Sequence, residues 1–389
     1  MPSADGRQRV AGAVLACAST FVAYTFAGYP AIIGLAARLR PRPVRADPAH
    51  LPRVTMIIAA HNEQDVIEQK LADTLRLDYP ADRLAVVVVS DGSDDLTPDR
   101  ARTVPGVTVL HQPERRGKLV AMNRAFDATQ GDVVVFSDAN NRYSATALRE
   151  LVAPFADPAV GVVTGRKAID DGSGRALDHA EGLYWRYESQ IKTWESASGS
   201  VTAAAGEILA FRRTAYQRPE PGMLTEDFVQ VMLAAGAGWR VVYAPAAVSL
   251  ERASSTIEDE AVRRARLVAG RWQATWRVLP RLALRRPRLA WQIASHKAAR
   301  PLIPWALVAV AGSTASLSPR RSWARWFGAV QCAFYAAALC GWHAERRERR
   351  NRWSYLPYYF CRMNLAALAG LRTFLTGDGG GLWERVSRG

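Results

Sequence analysis

An apolar stretch that is almost free of charge, at residues 10–39, most constrains what this chain can fold into. Its only Lys, Arg, Asp or Glu side chain is Arg38. About 20 apolar residues are enough for a helix to cross the hydrocarbon core of a bilayer, so we predict a transmembrane helix with a basic flank within residues 1–45. A cleaved secretory or lipoprotein signal is the alternative, because residues 14–17 read VLAC, but few apolar residues precede them.

Arginines flank this stretch unequally, and their distribution predicts its orientation. Four of them fall within residues 38–45, whereas only Arg7 and Arg9 precede the stretch. Basic residues concentrate on the cytoplasmic side of membrane helices. The region that follows is therefore expected in the cytoplasm, where it faces nucleotide pools, and the chain is predicted to lie in the inner (cytoplasmic) cell membrane.

Further apolar stretches occupy the C-terminal region. Residues 301–317 and 323–343 are predicted to span the membrane, which would make the chain a multi-pass protein. A third stretch, residues 355–375, contains Arg362 and Asn364, and a charge inside the hydrocarbon core is costly. This stretch therefore packs against partners, lines a polar path or lies in the interface.

The basic charge of the chain points to an anionic partner. It carries 51 Lys and Arg residues against 36 Asp and Glu residues, a formal charge of +15. The arginines cluster beside the apolar stretches, which favours lipid headgroups, whereas the mixed charge of residues 53–250 argues against nucleic acid. Residues 278–300 mix Leu, Trp and Ile with Arg and Lys, so we predict an amphipathic helix on the membrane; a solvated helix with a packed apolar face is the alternative.

The cysteines do not indicate a metal or redox site. None of the four has the paired spacing that a zinc site or a thioredoxin-like motif needs. All lie in apolar runs, and we expect them to be buried small hydrophobes: Cys17, Cys332, Cys340 and Cys361.

Short β-rich runs alternate with helical patterns in the middle of the chain. Five runs are apolar enough for buried strands: residues 54–59, 84–90, 107–111, 132–137 and 161–164. This alternation predicts an α/β domain with a largely parallel sheet. Ligands of such sheets bind beyond the carboxyl ends of the strands, so the polar residues directly after each run become site candidates.

Three of these strand ends carry side chains suited to chemistry. Residues 59–63 read AAHNE, residues 90–95 read SDGSDD and residues 137–141 read SDANN. Carboxylate and amide oxygens are the ligands that Mg²⁺ or Mn²⁺ prefers, together with substrate phosphates. Each motif alone is equally typical of a turn or a helix cap, so the hypothesis rests on the three together.

The order of these motifs resembles the family 2 glycosyltransferases, in particular the membrane-bound branch of cellulose, hyaluronan and poly-N-acetylglucosamine synthases. The resemblance implies a GT-A fold, a Rossmann-like domain with a mixed, largely parallel sheet that binds a nucleotide-diphosphate sugar. It also implies an inverting transfer. We expect an N-terminal membrane helix with its basic flank (residues 1–45) and a cytoplasmic GT-A catalytic domain (residues 52–255). Acceptor-side and interfacial helices (256–300), C-terminal membrane helices (301–375) and a tail (376–389) are expected to follow.

The resemblance assigns donor-binding roles to residues at the strand ends. Asp91 resembles the carboxylate that holds the nucleoside. Lys118, which follows Arg116 and Gly117 and precedes Asn123, resembles a segment that meets the donor. The first nucleotide-binding segment corresponds to Ala60, His61, Asn62 and Glu63.

A metal site is implied at residues 138–140, which read DAN and resemble the Asp-x-Asp motif of the family. Asp138 and Asn140 are the expected ligands of Mg²⁺ or Mn²⁺, and Asp138 also belongs to the donor site. Asn140 stands where the family has an aspartate, so it offers a carbonyl oxygen with one less negative charge.

The acceptor side of the site is expected around residues 225–227, which read TED. In the resembling family the Asp of this motif is the catalytic base, a role that a carboxylate in a partly closed cleft can fill. Asp227 is therefore expected to remove the acceptor proton, and Glu226 and Gly206 to contact the acceptor. Taken alone, an acidic pair before an apolar run is equally typical of the first turn of a helix.

Residues 268–272, which read VAGRW, depart from the Gln-x-x-Arg-Trp motif of processive members because the Gln is missing. The resemblance implies that Arg271 supplies a cation for the diphosphate and that Trp272 forms an aromatic platform for the acceptor sugar. A contact of both residues with the membrane is the alternative. The missing Gln argues against a processive polymerase.

Together these implications predict a metal-dependent, inverting hexosyltransferase for polysaccharide biosynthesis or a similar pathway. The donor is expected to be a UDP-sugar, as in most of the resembling family, and the acceptor a hydroxyl of a lipid-linked or polysaccharide molecule at the cytoplasmic membrane face. A non-catalytic glycosyltransferase-like subunit of a polysaccharide synthesis or export complex is the alternative. The sugar, the acceptor and the oligomeric state stay open.

Overall fold

A single mixed sheet forms the centre of the computed structural model, which describes residues 4–170, 176–220, 222–252, 254, 256–347 and 352–377. Four parallel strands make its first half, in the spatial order β3-β2-β1-β4. Every residue of β1 is buried, as expected for a parallel strand that is covered on both faces. These strands are β1 (Val54–Ala60), β2 (Leu84–Asp91), β3 (Val107–Gln112) and β4 (Val133–Asp138).

The second half of the sheet contains the antiparallel pairings that make it mixed. The short strand β7 pairs antiparallel with both β4 and β6, and β6 pairs in parallel with β8. The five strands that the sequence predicts are all present, and the expectation of a mixed, largely parallel α/β sheet is confirmed. The remaining strands are β5 (Arg142–Tyr143), β6 (Val160–Asp170), β7 (Leu209–Arg212) and β8 (Arg240–Arg252).

Helices cover both faces of the sheet. On one face, Ile67 and Leu148 pack against the inward side chains of β1 and β2. On the other, Met122 and Phe228 join the apolar layer beneath β1 and β4. The helices are α3 (Ile67–Leu75), α4 (Thr97–Arg102), α5 (Lys118–Asp127), α6 (Ala147–Val152), α7 (Ala176–Ser198), α8 (Glu226–Gly236) and α9 (Ile257–Arg285).

The N-terminal apolar stretch forms one continuous helix, Asp5–Leu39, built from α1 (Ala4–Ala23), a π-helical turn and α2 (Tyr29–Leu39). In the part of the chain that the structure describes, it is the one helix long and apolar enough to cross a membrane. Its second half packs on α7, where the Tyr29 hydroxyl donates a hydrogen bond to Glu195.

Three more helices follow near the C-terminus: α11 (Ile303–Leu317), α12 (Ser322–Arg346) and α13 (Arg352–Thr376). α11 packs on α1 through Leu15 and Val310. α13 packs on α7 and α9, which fits the expectation that the stretch with Arg362 and Asn364 contacts partner helices. That α11 and α12 span the membrane remains a prediction, and whether α13 does so stays open. The expected tail lies largely outside the described residues.

The prediction of a single amphipathic helix over residues 278–300 is wrong. α9 ends at Arg285, α10 (Pro287–Ile293) follows, and a π-helical turn completes the segment. Pro287 at the start of α10 explains the break, because the residue before a proline disfavours the helical conformation, and Arg286 has a φ of −139° and a ψ of 66°. Leu282, Leu289 and Ile293 are buried in the apolar layer of the α/β domain, as the alternative of a packed apolar face predicts.

The expectation of buried cysteines is also wrong. Cys17, Cys332 and Cys340 are exposed, and Cys361 is half-buried. Other residues of these helices, such as Leu15 on α1 and Ala324 on α12, form the buried contacts.

Candidate active site

The candidate site begins where three neighbouring parallel strands end. Asp91 and Asp138 are the last residues of β2 and β4, and β1 lies between these two strands. Parallel strands place their carboxyl ends at one edge of a sheet, so the motifs that are far apart in the sequence meet there.

Asp91 anchors the loop before α5. Its two carboxylate oxygens accept hydrogen bonds from the backbone N–H groups of Arg116 and Gly117, at 2.8 and 2.7 Å. Gly92 lies against the same loop with a φ of 64°, and a Cβ at this position would lie 2.6 Å from the side chain of Arg115. Asp91 therefore positions the start of α5, and its contact with a nucleoside remains a prediction.

The segment after β1 is fixed to the turn after β2. Nδ1 of His61 lies 2.8 Å from the backbone oxygen of Asp91. Asn62 adopts a left-handed conformation with a φ of 54° and bonds Asp94 twice, through its amide nitrogen at 2.7 Å and its amide oxygen at 3.1 Å. Glu63 is buried. Hydrogen bonds thus hold the two motifs together. The contacts of residues 60–63 with the donor remain a prediction.

Lys118, the first residue of α5, joins two acidic motifs. Its ammonium lies 2.6 Å from Oδ1 of Asp138 and 3.6 Å from Oε1 of Glu226, and all three side chains are less than one-fifth exposed. Burial lowers the pKa of Lys118, but attraction to Asp138 and Glu226 outweighs burial and leaves this pKa above its ordinary value. The lysine therefore stays charged in a cleft that an anionic diphosphate could enter.

Asp227, in the first turn of α8, lies against Gly206. A Cβ at Gly206 would lie 3.2 Å from Oδ2 of Asp227, so any residue other than glycine would force the carboxylate to shift. Burial, followed by repulsion from Glu226, raises the pKa of Asp227 from 3.8 to about 6. A carboxylate with this pKa is ionised at neutral pH and is a stronger base than an ordinary aspartate.

Of the two predicted metal ligands, Asp138 lines the central cleft and Asn140 is not among its lining residues. Oδ1 of Asn140 is buried and has no hydrogen-bond partner, which suits an oxygen that binds a ligand beside Asp138. Within the described residues, no group of three or more His, Cys, Asp or Glu side chains is arranged to hold a metal ion. Two protein oxygens match the way Mg²⁺ is usually bound, by few carboxylates plus substrate phosphates.

One cleft is lined by five of the predicted donor and acceptor residues: Lys118, Asp138, Gly206, Glu226 and Asp227. A second group of residues lines the same cleft and was not predicted from the sequence. It includes Lys167, Glu207, Glu251, Arg263 and Arg266. No short motif marks them, because Lys167 and Glu251 reach the cleft through the pairing of β6 with β8, Glu207 lies in the turn before β7, and the two arginines lie on α9. This central cleft therefore holds more basic residues than the motifs reveal.

Arg271 and Trp272 do not line the central cleft, contrary to the implied roles. Arg271 lines a second pocket, and Trp272 stacks on Phe374 of α13 with ring centroids 6.4 Å apart. Arg271 lies about 140° around the helix axis from Arg266 and one turn beyond Leu267, the last residue of α9 that lines the cleft. Gly270 instead faces the TED motif: a Cβ there would lie 2.5 Å from Cγ2 of Thr225.

The sequence of this chain is similar to a known protein family and to several known proteins. Residues 55–218 match the model of Glycosyl transferase family 2. "Probable glycosyltransferase YdaM" of Bacillus subtilis is 28% identical over 226 residues, which cover 54% of this chain and 53% of that protein. "Beta-monoglucosyldiacylglycerol synthase" of Synechocystis is 32% identical over 163 residues, 40% of this chain and 33% of that protein.

"Poly-beta-1,6-N-acetyl-D-glucosamine synthase" of Staphylococcus aureus is 26% identical over 205 residues, which cover 51% of this chain and 49% of that protein. The chain thus spans about half the length of the curated relatives it matches, and one third of the Synechocystis protein. These matches show that the chain shares a domain with these relatives.

Among solved structures, the chain resembles "Mannosyltransferase PcManGT from Pyrobaculum calidifontis in complex with GDP-Man and Mn2+". The TM-score is 0.68 at 26% identity, and the similarity covers 94% of this chain and 99% of that protein. Because the covered share is so high, the likeness extends beyond the α/β domain to the helices at both ends of the chain.

Proposed function

Since this chain carries a family 2 glycosyltransferase domain at residues 55–218, we propose that it is an inverting, metal-dependent glycosyltransferase of the cytoplasmic membrane face. The observation that carries the proposal is the meeting of Lys118, Asp138 and Asp227 around one cleft. It joins a cation for the donor, a metal ligand and a base, which are the groups that such a transfer needs. A non-catalytic subunit would need none of these groups together.

The donor diphosphate would lie near Lys118 at the N-terminus of α5. Helix N-termini carry a partial positive charge that favours anions, and Arg116 and Arg266 add cations to the same cleft. The nucleoside is proposed to lie towards Asp91 and residues 60–63. Both uridine and guanosine donors are candidates, because the resembling family mostly uses UDP-sugars and the Pyrobaculum neighbour was solved with GDP-Man.

A divalent cation is proposed at Asp138 and Asn140. When bound, it would neutralise the charge that develops on the leaving diphosphate. The unpartnered oxygen of Asn140 and the Mn²⁺ in the solved neighbour support this assignment. Arg271, which the sequence placed at the diphosphate, lines a different pocket, and Arg266 is the arginine of α9 that lines the cleft.

Asp227 acts as the base in the proposed transfer. It takes the proton of the acceptor hydroxyl while that oxygen attacks the anomeric carbon from the face opposite the diphosphate. The bond from the anomeric carbon to the diphosphate oxygen breaks, the diphosphate leaves with the electron pair, and the configuration inverts. Gly206 keeps the carboxylate in place, and Glu226 raises its basicity.

The acceptor is proposed to be a lipid-linked molecule or a polysaccharide presented at the membrane. The relatives include a monoglucosyldiacylglycerol synthase and a poly-N-acetylglucosamine synthase, so each class has support. The helix Asp5–Leu39 and its packing against α7 would hold the cleft close to the bilayer.

The deciding experiment measures nucleotide diphosphate release by the purified full-length chain in detergent. UDP-glucose, UDP-N-acetylglucosamine and GDP-mannose are supplied with Mn²⁺, with Mg²⁺ or with a chelator, and a membrane lipid extract is the acceptor. We expect release from one donor, dependent on metal and lost in Asp227→Asn. The matched control is Asp99→Asn, whose side chain on α4 is 69% exposed. Absence of release from every donor would overturn the proposal in favour of the non-catalytic subunit.

A further inference from the structure

A second pocket lies against a neighbouring face of α9. α9 separates the two spaces: Arg263 and Leu267 face the cleft, whereas Arg264, Val268 and Arg271 face the pocket. The other walls come from α7, α13 and the beginning of α11. The proposed transfer uses none of the residues that line this space.

Three arginines line this arginine pocket: Arg264, Arg271 and Arg300. None of its described lining residues is acidic. The carboxylates nearby are shared: Glu188 pairs with Arg300 and also with Lys297 at 2.6 Å. Glu260 lies 3.8 Å from Arg264 but pairs with Arg263 at 2.5 Å. The pocket therefore has an excess of positive charge.

Three guanidinium nitrogens in the pocket lack hydrogen-bond acceptors. Nε and Nη2 of Arg300 and Nε of Arg264 are buried without a partner. The two side chains are only 11% and 12% exposed, so water does not easily satisfy them. A buried donor that is left unsatisfied is costly, and these groups would gain from an anion with several oxygens.

The pKa of Tyr184 reflects the same excess of positive charge. Burial and the carboxylate of Glu188 raise the pKa of its hydroxyl, yet Arg264, Arg300 and Arg271 lower it more strongly, to about 7. The Tyr184 oxygen already accepts a hydrogen bond from Arg264 at 3.1 Å. The potential in the pocket is therefore positive enough to favour a negative charge even on a phenol.

The remaining walls are apolar and reach the N-terminal membrane helix. Phe26, within the stretch Asp5–Leu39, lies 6.2 Å from Phe360 between ring centroids. Phe26, Leu183 and Leu356 are 36%, 38% and 39% exposed, although each lines the pocket. An apolar chain placed along these residues would cover surface that is otherwise exposed.

We propose that the arginine pocket binds an anionic phospholipid, whose phosphate contacts Arg264, Arg271 and Arg300 and whose acyl chain lies along Phe26, Leu356 and Phe360. A free phosphate would leave the apolar walls uncovered, and a zwitterionic lipid would leave the excess charge unbalanced. The site is separate from the central cleft, so it does not depend on the proposed transfer.

The test is lipid binding to the full-length chain, measured by native mass spectrometry in detergent. Dioleoylphosphatidylglycerol is titrated against dioleoylphosphatidylcholine, with inorganic phosphate as a competitor. We expect phosphatidylglycerol to bind at least about tenfold more tightly than phosphatidylcholine and Arg271→Gln to lose most of that preference, since a charge-assisted hydrogen bond is removed. Arg277→Gln, on the same helix but outside the pocket and 49% exposed, should bind as the wild type does.

Equal binding of the two lipids, equal binding by wild type and Arg271→Gln, or full displacement by inorganic phosphate would each overturn the proposal. A second measurement needs no variant. Phosphatidylglycerol with a photoreactive acyl chain should label peptides of α13 that contain Leu356 or Phe360. Labelling confined to α12, which contributes no residue to the pocket lining, would contradict the assignment.

Discussion

The ammonium nitrogen of Lys118 lies 2.6 Å from Oδ1 of Asp138. This pair links the residue expected to contact the donor phosphates with the residue expected to hold the metal. Each neutralises the charge of the other, and both side chains are less than one-fifth exposed. A cation that binds Asp138 must therefore act against the positive charge of Lys118 unless the donor diphosphate enters as well.

Replacement of Lys118 by Met should strengthen metal binding while it weakens the fold. Removal of one partner of a buried ion pair costs on the order of 3 kcal/mol, because the other charge is left uncompensated. Mn²⁺ can then compensate Asp138, so it should raise the melting temperature of Lys118→Met more than that of the wild type. Thermal unfolding with and without Mn²⁺ measures this. Equal shifts in both proteins, or a shift that persists in Lys118→Met with Asp138→Asn, would contradict the metal site.

The activity of the chain should depend on pH through Asp227. Its pKa is raised from 3.8 to about 6, and only the ionised carboxylate accepts a proton. The rate at limiting acceptor should be constant well above pH 6 and fall about tenfold per pH unit below it.

Glu226→Gln is the diagnostic variant for that profile. It removes a negative charge that contributes to the raised pKa of Asp227, so the inflection should move to lower pH. Initial rates across pH give both curves. An inflection that stays in place would show that another group titrates.

Asp227 should also destabilise the fold when it is ionised. Its pKa is higher in the folded chain than the ordinary value of 3.8, so the folded state binds the proton more tightly and stability falls as pH rises from 3.8 through about 6. Asp227→Asn should therefore melt at a higher temperature than the wild type above pH 6, with the difference vanishing below pH 3.8. Activity should drop by about 10² to 10⁴ in the same variant. A variant that is both inactive and less stable would indicate a structural role.

Gly206→Ala should impair the chemical step more than donor binding. The new Cβ would lie 3.2 Å from Oδ2 of Asp227 and force the carboxylate to shift. We expect kcat to fall by about tenfold or more, because a misplaced base loses its geometry, with little change in the donor KM. Gly182→Ala on α7, where a Cβ meets nothing within 4 Å, is the matched control. A change confined to the donor KM would place Gly206 at the donor instead.

The sequence by itself determined the parallel half of the sheet and the residues at its edge. Runs such as residues 54–59 and 84–90 are apolar enough to specify buried strands, and strand polarity alone places Asp91 and Asp138 at one edge. The long apolar helix at the N-terminus was likewise predictable, since length and apolarity suffice to indicate such a helix.

Only the tertiary structure decided which residues complete the cleft. Lys167 and Glu251 form an ion pair across β6 and β8, and a shift in the register of the two strands separates the paired segments. Such a register depends on long-range packing and leaves no local motif. The rotation of α9 is equally non-local: packing of Gly270 on Thr225 directs Arg266 into the cleft and Arg271 into the arginine pocket. A motif specifies which side chains are present, whereas the packed faces of the helix decide which space each one lines.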